Sequence, residues 1–593
     1  MLPARAIALR ATARRPGLIQ NHHRLYRSLT PLPGQVRRYT PHQHQHQQQD
    51  QQQQQQLTHQ PGQIPDNITI SWTHEHILLQ HQDHQNSTLP PRRLHAATLR
   101  DECSCPTCRD ESSGNKTFAS VEIPPEIRIV GVRAREDGLG IQFANDVVRF
   151  EGRHETVVPW ERVERVVFSA ASYWPVSESE SASFSSSSSA SASASASASA
   201  SASHSAASSA SPFASSTSAA APAPASPRGR RPNSLFHRKQ ALLARTGVQY
   251  WDASTLSTQI RKIDYHAFMA SSPSSRTSSG TSSYSPAFWD VLITLLRLGI
   301  VYLTHVPRHE SSLPNIINHL ANLRETFYGR TFDVRAKPHA ENVAYTSGYL
   351  GLHQDLCYLA PPPMIQVLHC MDNSCEGGES LFSDGERVGR LLWPFVRRGT
   401  GTGTGRGRGG SNKMGVLAEH AVPYQYDKHG YYYRAERSVL RREEADGSFG
   451  GVYWSPPFQG RYEQQEYGGE EVDLKRWIPA ARVFEGLVND PGAVFRYKMQ
   501  EGECVLFDNL RVLHGRNAFD AAHRGGSRWL RGGYIAAEDF LSRAAYIPGE
   551  RADEHRGEGD LWTPEGAEEE LRGGDWWSDV VRRVREVDEA EEV

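Results

Sequence analysis

Apolar residues recur along this chain with two different periods, which together predict short strands with helices between them. Residues 68–72, ITISW, alternate as a half-buried strand does, and similar patterns return in IRIVGVRA and VVRFEGRHETVVPW. The window 287–306 predicts a helix, FWDVLITLLRL, that stops at Gly299 before a buried strand, IVYLTHV. The run CVLFDNLRVLH at 504–514 is also strand-like. These patterns predict a mainly β protein with flanking helices.

Several other segments lack any such period. They are a Gln/His tract at 41–62, a Ser/Ala-rich stretch at 177–231, a Ser-rich insertion at 271–285 and a Gly/Thr/Arg run at 398–412. Such sequences bury too little apolar surface to offset the entropy lost on ordering, so we expect them to be disordered. The predicted organisation is a disordered segment at 41–65, a small β-rich domain at 66–172, a disordered linker at 173–232, a large globular domain at 233–549, and an acidic tail at 550–593 ending in an amphipathic helix near 576–587.

The N-terminal segment carries a targeting pattern. Residues 1–49 contain eight arginines and no Asp, Glu or Lys, and apolar residues alternate with Arg in MLPARAIALRATARR. This composition is typical of a mitochondrial transit peptide, which we place at 1–40, although a disordered basic tail would look similar. No run reaches the roughly 18 apolar residues of a membrane span. The net charge of −2 gives no reason to expect a nucleic acid partner.

Three of the seven cysteines lie within six residues, at Cys103, Cys105 and Cys108. Three thiolates this close can bind one tetrahedral Zn²⁺ if a fourth ligand is available. His154 is the preferred fourth ligand, and His95 is the rival. A closed shell of this kind is structural, and it would stabilise a domain too small to fold on burial alone. The alternative is that the cysteines are simply small buried side chains.

The stretch YTSGYLGLHQD contains a His-x-Asp pair, His353 and Asp355. Residues i and i+2 of a strand point to the same face, so one imidazole and one carboxylate would converge there. A second histidine would complete the 2-His-1-carboxylate set that holds a non-haem Fe(II) and leaves coordination positions open. His514, in FDNLRVLHGRNAF, is the best candidate.

Arg528, in SRWLRGGY, lies fourteen residues beyond His514. Arginine suits a bidentate grip on a carboxylate, which a 2-oxo acid cosubstrate needs at the end remote from the metal. The alternatives for this role are Arg516, Arg524 and Arg531. The Gly-Gly turn in CEGGESLFSDG would also bring Ser380 towards the metal.

Together these motifs resemble the gamma-butyrobetaine dioxygenase and trimethyllysine dioxygenase family, which is related to the taurine dioxygenases. The resemblance runs from about residue 67 to 549 without the insertions, through LRDECSCPTC, EGRHETVVPW, FYGRTFDV, NVAYTSGYLGLHQD, CEGGESLFSDG, DNLRVLHGRNAF and SRWLRGGY. It implies a double-stranded β-helix (jelly-roll) catalytic domain behind a zinc-binding β domain. It further implies that His353, Asp355 and His514 bind iron, and that Arg528, with Ser380, binds 2-oxoglutarate.

The same resemblance implies a cage for a trimethylammonium group, with Asn342 near the substrate carboxylate. The cage positions are Tyr328, Phe332, Tyr345 and Tyr534, all of them aromatic. Asn342 favours the butyrobetaine branch over the trimethyllysine branch. Three positions differ from the butyrobetaine branch. Phe332 stands where that branch has Trp, the prolines of YWSPPFQG stand where it has a second carboxylate-binding Asn, and Leu356 stands where it usually has an aromatic residue.

The expected activity is hydroxylation of gamma-butyrobetaine to L-carnitine, with O₂ and 2-oxoglutarate consumed and succinate and CO₂ released. Ascorbate would keep the iron reduced. The alternatives are hydroxylation of trimethyllysine or another small molecule, and a non-catalytic zinc-binding scaffold. The expected partners are O₂ and a small quaternary ammonium substrate, and a homodimer stays open.

Overall fold

The computed structural model describes part of the chain. The described residues are 55–56, 68–81, 92–111, 114–150, 154–168, 234–270, 284–336, 343–397, 413–443, 446–462, 474–520, 526–555, 569 and 571–590. The predicted transit peptide, the Ser/Ala-rich linker and the Gly/Thr/Arg run lie outside these residues. Among the described residues, no helix combines the length and the apolar character that crossing a bilayer requires.

The N-terminal region is built from two antiparallel sheets and two short helices. The strands are β1 (Gln55–Gln56), β2 (Ile68–Trp72), β3 (His76–His81), β4 (Arg92–His95), β5 (Ile129–Ala134), β6 (Gly138–Phe143) and β7 (Thr156–Pro159), and the helices are α1 (Ala96–Asp101) and α2 (Trp160–Phe168). Strands β1 to β4 form one sheet and β5 to β7 the other, each in sequence order. The strand predicted in ITISW is confirmed as β2.

The larger region alternates helices with strands as expected. Its helices are α3 (Leu235–Thr246), α4 (Ala253–Gln259), α5 (Tyr265–Met269), α6 (Pro286–Arg297), α7 (Ser312–Leu320), α8 (Gly385–Arg397), α9 (Val416–Glu419), α10 (Leu474–Val488), α11 (Ala537–Ala544), α12 (Gly549–Glu554) and α13 (Trp576–Glu589). Its strands are β8 (Lys262–Asp264), β9 (Ile300–Thr304), β10 (Phe332–Arg335), β11 (Leu350–His353), β12 (Ile365–Asn373), β13 (Glu376–Gly377), β14 (Ser380–Asp384), β15 (Val422–Lys428), β16 (Tyr431–Arg437), β17 (Leu440–Arg442), β18 (Phe449–Val452), β19 (Phe495–Tyr497), β20 (Cys504–Asp508), β21 (Val512–Arg516), β22 (Phe519–Asp520) and β23 (Arg528–Ile535).

Two sheets form the centre of this region. The six-stranded sheet runs in the order β10-β23-β12-β20-β9-β8, and the four-stranded sheet in the order β11-β21-β14-β19. Buried apolar side chains from both sheets pack in one cluster, for example Leu368 and Val505 from the first with Phe382 and Val512 from the second. Two packed sheets with helices outside are the expected jelly-roll architecture, so the predicted fold of the catalytic region is confirmed.

The helix and strand predicted between 287 and 306 are α6 and β9. Gly299 lies between them with φ +75°, a left-handed conformation that favours glycine. The run 504–514, in contrast, is not one strand. It divides at a turn into β20, in the six-stranded sheet, and β21, in the four-stranded sheet, so this chain segment crosses from one sheet to the other.

The N-terminal region packs on the catalytic region within one compact unit that spans Gln55–Val593. The Ser120 hydroxyl donates to Gln459 Oε1 at 2.7 Å. The Arg482 guanidinium donates to the carbonyls of Val121 and Ile123 at 2.7 and 3.0 Å. These polar contacts join residues far apart in the chain, so the position of the small domain is defined by direct contact.

A buried ion pair joins the two central sheets to the helices around them. Arg511, in the turn before β21, donates to Asp384 at 3.1 Å (Nε to Oδ1) and 2.7 Å (Nη2 to Oδ2). Both residues are 1% exposed. Asp384 ends β14 and also accepts from the backbone N–H of Arg387 in α8 at 3.2 Å and of Trp251 at 3.3 Å. The Asp384 carboxylate therefore links the turn before β21, the N-terminal turn of α8 and the segment before α4.

Asp384→Ala should lower the free energy of unfolding by about 3–5 kcal/mol, because it leaves the Arg511 charge buried without its partner. The measurement is chemical denaturation of the full chain. The control is Asp579→Ala, which removes a partly exposed carboxylate paired with Arg582 and Arg583 on α13 and should cost less than about 1 kcal/mol. Equal losses in the two variants would contradict the role given to Asp384.

Candidate active site

Two histidines face each other across neighbouring strands. Strands β11 and β21 pair antiparallel, and His353 lies directly opposite His514 in their register. Directly opposite residues on such strands have their side chains on the same face, with Cβ atoms about 4.5–5.5 Å apart. The ring centroids of the two imidazoles lie 4.3 Å apart. Strand pairing therefore brings together two side chains that are distant in sequence.

Asp355 reaches the same place by a different route from the one predicted. Strand β11 ends at His353, and Asp355 lies in the turn that follows, so the strand argument for residues i and i+2 does not apply. Asn509 fixes this turn: its Oδ1 accepts from the Asp355 N–H at 2.8 Å, and its Nδ2 donates to the Asp355 carbonyl at 3.0 Å. The next residue, Leu356, has φ +59°.

The three side chains form a compact set of metal ligands. Asp355 Oδ1 lies 3.3 Å from His353 Nε2 and 3.9 Å from His514 Nε2. One ligand atom from each residue lies within 4.8 Å of the others. Two adjacent ligand atoms bound to one ion at about 2.1 Å lie about 3 Å from each other. The observed separations are slightly longer, so small side-chain movements would let all three residues bind one metal ion. Two imidazoles and one carboxylate fit the donor set of a non-haem Fe(II).

The protonation states also fit metal binding. Burial, and then the neighbouring His353, lowers the pKa of His514 to about 3, so this imidazole is neutral near pH 7. His353 Nδ1 lies 2.9 Å from the Gly351 carbonyl, to which its N–H donates, and this leaves Nε2 as the free acceptor facing Asp355. Metal-binding histidines commonly donate their other ring N–H in this way.

The second oxygen of Asp355 is bound by two donors from the six-stranded sheet. Asp355 Oδ2 accepts from Gln366 Nε2 and from the Tyr534 hydroxyl, each at 2.7 Å. Burial alone would raise the pKa of the Asp355 carboxyl. Hydrogen bonds and the nearby histidines outweigh it and hold the pKa below its usual range. The carboxylate is therefore ionised, with Oδ1 directed towards the histidines.

A cavity opens from these ligands, and Arg528 lines it. Arg528 Nε donates to the Gly378 carbonyl at 3.1 Å. Its two terminal nitrogens have no hydrogen-bond partner among the described residues. Burial lowers the pKa of Arg528 to about 10, which still leaves it charged near pH 7. A buried guanidinium with two free donor groups is suited to bind a carboxylate bidentately.

The rival arginines differ in their contacts. Arg516 lines the same cavity, but its terminal nitrogens donate to the carbonyls of Ala344, Thr346 and Gly348 at 2.8–3.0 Å. Arg531 pairs with Asp333 at 3.2 Å. Arg524 lies outside the described residues. Of the described candidates, Arg528 is therefore the one whose terminal nitrogens are free, and Ser380, on β14, lines the same cavity.

The predicted cage residues all line this cavity. They are Tyr328, Phe332, Tyr345 and Tyr534. Phe332 stacks on Tyr534 with ring centroids 5.1 Å apart, and Tyr328 lies 6.3 Å from Phe332. Asn342 lies outside the described residues, so its predicted role stays a prediction.

The cysteine cluster forms a second set of metal ligands, remote in sequence from the first. His154 Nε2 lies 3.5, 3.3 and 3.2 Å from the sulfurs of Cys103, Cys105 and Cys108. With bonds of about 2.3 Å to sulfur and 2.0–2.1 Å to nitrogen, a tetrahedral Zn²⁺ would separate these atoms by about 3.6 Å. The four side chains thus fit a zinc ion of three thiolates and one imidazole.

Contacts around the cluster orient these side chains. His154 Nδ1 lies 3.1 Å from Asp146 Oδ2, and Arg100, which pairs with Asp146, also donates to Cys108 Sγ at 3.4 Å. His154 itself lies just before β7 rather than on a strand. His95 instead accepts from the Ala97 N–H at 3.1 Å and caps the N-terminus of α1, outside the cluster.

Sequence reasoning missed the residues that orient Asp355. Gln366 carried no motif, because its role depends on the alternation of side chains in β12 and on the packing of one sheet against the other. Asn509 offered a weak signal, since it lies in the DNL turn between two apolar runs, where Asn commonly bonds to backbone groups.

Similar proteins match both regions of the chain. Residues 282–534 match the taurine catabolism dioxygenase TauD, TfdA family, and residues 66–162 match the gamma-butyrobetaine hydroxylase-like N-terminal family. Dioxygenase str8 of Strobilurus tenacellus is 31% identical over 263 residues, which cover 42% of this chain and 57% of that protein. Gamma-butyrobetaine dioxygenase of Pseudomonas sp. (strain AK-1) is 29% identical over 259 residues, which cover 42% and 60%.

Other matches share less sequence identity with this chain. Trimethyllysine dioxygenase of Meyerozyma guilliermondii is 21% identical over 309 residues, covering 51% of this chain and 68% of that protein. Among solved structures, PvcB of Pseudomonas aeruginosa matches with 21% identity and a TM-score of 0.31, covering 42% of this chain and 80% of that one. The chain spans less than two thirds of the length of the first two relatives. The family resemblance expected from the motifs is confirmed in both matched segments.

Gln366→Leu should weaken the binding of Fe(II) or Mn(II) about 10–100-fold, because Asp355 loses one of the two donors that fix its carboxylate. The measurement is an anaerobic calorimetric titration with the metal. Gln500→Leu, at an exposed turn, is the control and should bind as the unmodified protein does. An unchanged affinity in Gln366→Leu would show that this hydrogen bond does not support the metal site.

Proposed function

We propose that this chain is an Fe(II)- and 2-oxoglutarate-dependent oxygenase of a small quaternary ammonium substrate, with gamma-butyrobetaine as the first choice and L-carnitine as its product. The observation that carries the proposal is the meeting of His353, Asp355 and His514 at a cavity that Arg528 also lines. The match of residues 282–534 to a dioxygenase family supports the same reaction class.

In this proposal His353, Asp355 and His514 would hold the ferrous ion. When bound, the iron supplies the activation of O₂ by which 2-oxoglutarate is decarboxylated to succinate and one substrate C–H bond becomes C–OH. Arg528 holds the remote carboxylate of 2-oxoglutarate through its free terminal nitrogens, assisted by Ser380. Gln366 and Tyr534 keep Asp355 Oδ1 directed at the metal through their bonds to Oδ2.

Aromatic faces support a quaternary ammonium substrate. A trimethylammonium group cannot donate hydrogen bonds, and each aromatic face near it contributes roughly 0.5–2 kcal/mol. Tyr328, Phe332, Tyr345 and Tyr534 would supply these faces, with Asn342 at the substrate carboxylate. The relative named gamma-butyrobetaine dioxygenase favours this substrate, and the one named trimethyllysine dioxygenase supports trimethyllysine as the second candidate.

The N-terminal domain would bind a structural Zn²⁺ through Cys103, Cys105, Cys108 and His154. The distances from His154 Nε2 to the three sulfurs support this assignment. A mitochondrial location and ascorbate as the reductant complete the proposal. The first of these rests on the arginine-rich segment before residue 50 and on relatives named mitochondrial.

Incubation with gamma-butyrobetaine should release succinate faster than incubation with trimethyllysine. The measurement is succinate formed per enzyme with each substrate at several concentrations, in the presence of Fe(II), 2-oxoglutarate and ascorbate. Faster release with trimethyllysine would reverse the choice of substrate. Asp355→Ala is the control for the site: unchanged decarboxylation in this variant would show that the proposed site is not the active one, whereas absence of turnover in the unmodified protein would support the non-catalytic scaffold.

The purified full chain should contain one zinc ion that survives removal of iron. Cys105→Ser should lose this zinc and lower the melting temperature, because the metal stabilises the domain that holds it. The control is Cys375→Ser, a buried cysteine outside the cluster. Elemental analysis of the two variants gives the answer, and full zinc content in Cys105→Ser would remove the metal assignment.

A further inference from the structure

A second space, called here the outer pocket, adjoins the cavity of the candidate active site. It is an open pocket at the protein surface rather than an enclosed cavity. The residues that line it are Phe327, Tyr328, Thr331, Phe332, Asp333, Tyr345, Tyr426, His429 and Tyr431. None of the roles assigned so far requires the part of this pocket formed by Phe327, Tyr426 and Tyr431.

The outer pocket continues the inner cavity. Tyr328, Phe332 and Tyr345 line both spaces, so these three residues form the boundary between them. A molecule that places its reacting carbon at the metal ligands and its quaternary nitrogen among these rings would direct any further substituent towards the outer pocket.

The walls of the outer pocket are rings from two separate parts of the chain. Phe327 precedes β10, and the hairpin of β15 and β16 supplies Tyr426 and Tyr431. The ring centroid of Phe327 lies 4.6 Å from that of Tyr426 and 5.5 Å from that of Tyr431. Ring centroids 4.5–7 Å apart are the usual separation of interacting aromatic side chains, so these rings contact one another and form one aromatic wall of the pocket.

The charged groups of the pocket do not favour an ionic ligand. Among the described residues that line it, Asp333 is the one carboxylate, and it accepts from Trp529 Nε1 at 2.7 Å and pairs with Arg531 at 3.2 Å. An exposed cation–π contact is a weak attraction. An aromatic ring gains the stacking contact and also buries up to about 150–250 Å² of its own surface. A neutral flat ring is therefore the group that these walls bind best.

We propose that the outer pocket is a second substrate subsite, which holds an aromatic substituent on the quaternary ammonium substrate. The inference rests on the proposed function, because it takes the metal ligands and the inner rings as the place of the reacting part. The site would then accept aryl-substituted betaines and bind them more tightly than gamma-butyrobetaine itself.

Two neighbouring tyrosines offer a matched pair of variants. Tyr431 lines the outer pocket, whereas Tyr432 is not among its lining residues, as expected for successive residues of a strand that point to opposite faces. The two are similarly exposed, at 46% and 37%. Removal of either ring should thus disturb the hairpin to a similar degree, and only removal of Tyr431 should affect the subsite.

The experiment compares gamma-butyrobetaine with its analogue in which one N-methyl group is replaced by benzyl. Dissociation constants are measured by calorimetry on the full chain with Fe(II) and 2-oxoglutarate in the absence of O₂. The analogue should bind the unmodified protein roughly three- to tenfold more tightly than the parent. Tyr431→Ala should lose most of this difference, and Tyr432→Ala should keep it.

Benzyl alcohol, followed by ligand-observed NMR, separates this proposal from the proposed function. One outcome is that neither betaine binds, while benzyl alcohol gives an NMR binding signal with the unmodified protein and with Tyr432→Ala but not with Tyr431→Ala. In that case the betaine assignment is wrong and the aromatic subsite stands. If betaines bind but the benzyl analogue has no advantage, or if Tyr431→Ala and Tyr432→Ala lose it equally, the aromatic subsite is overturned. Absence of Tyr431-dependent binding for both aromatic probes overturns it as well.

Discussion

The register between β11 and β21 is the constraint on which the candidate active site depends. His353 and His514 are directly opposite in that register, and a shift of one residue would turn one imidazole to the other face of the sheet. Two features restrict such a shift. Strand β21 also pairs with β14 on its other side, and Arg511, in the turn before β21, is bound to Asp384 at the end of β14. The buried ion pair therefore belongs to the framework that aligns the metal ligands.

The inner cavity, at the metal ligands, is lined by charged side chains of both signs. Asp355 is the one carboxylate among the described residues that line it, and it lies beside the two imidazoles. Arg516 and Arg528 line it as well, and neither has a carboxylate partner there. The cavity thus combines ligands for a cation with donors for an anion, as binding of a ferrous ion together with a dicarboxylate requires. Arg516 has a further effect, because it holds the carbonyls of residues 344–348 around Tyr345.

Sequence reasoning succeeded where local pattern determines structure, and it failed where tertiary contacts do. The helix, Gly299 and the strand after it followed from apolar periodicity and one glycine. The position of Asp355 could not be predicted in this way, because the turn that contains it is held by hydrogen bonds to Asn509, a residue distant in the sequence. The division of 504–514 between two sheets was equally hidden, since both halves are apolar. The outer pocket depends on a hairpin meeting the loop before β10, and the contact between these two parts of the chain cannot be read from either segment alone.

The most direct test of this account is the metal content of His514→Ala, because this histidine alone must come from a distant strand. Elemental analysis and an anaerobic Fe(II) titration of the full chain measure both metals in one sample. The account predicts that His514→Ala loses iron binding and retains one zinc ion per chain. Iron binding with unchanged affinity in this variant would show that His353 and Asp355 hold a metal without it, and it would contradict the central claim.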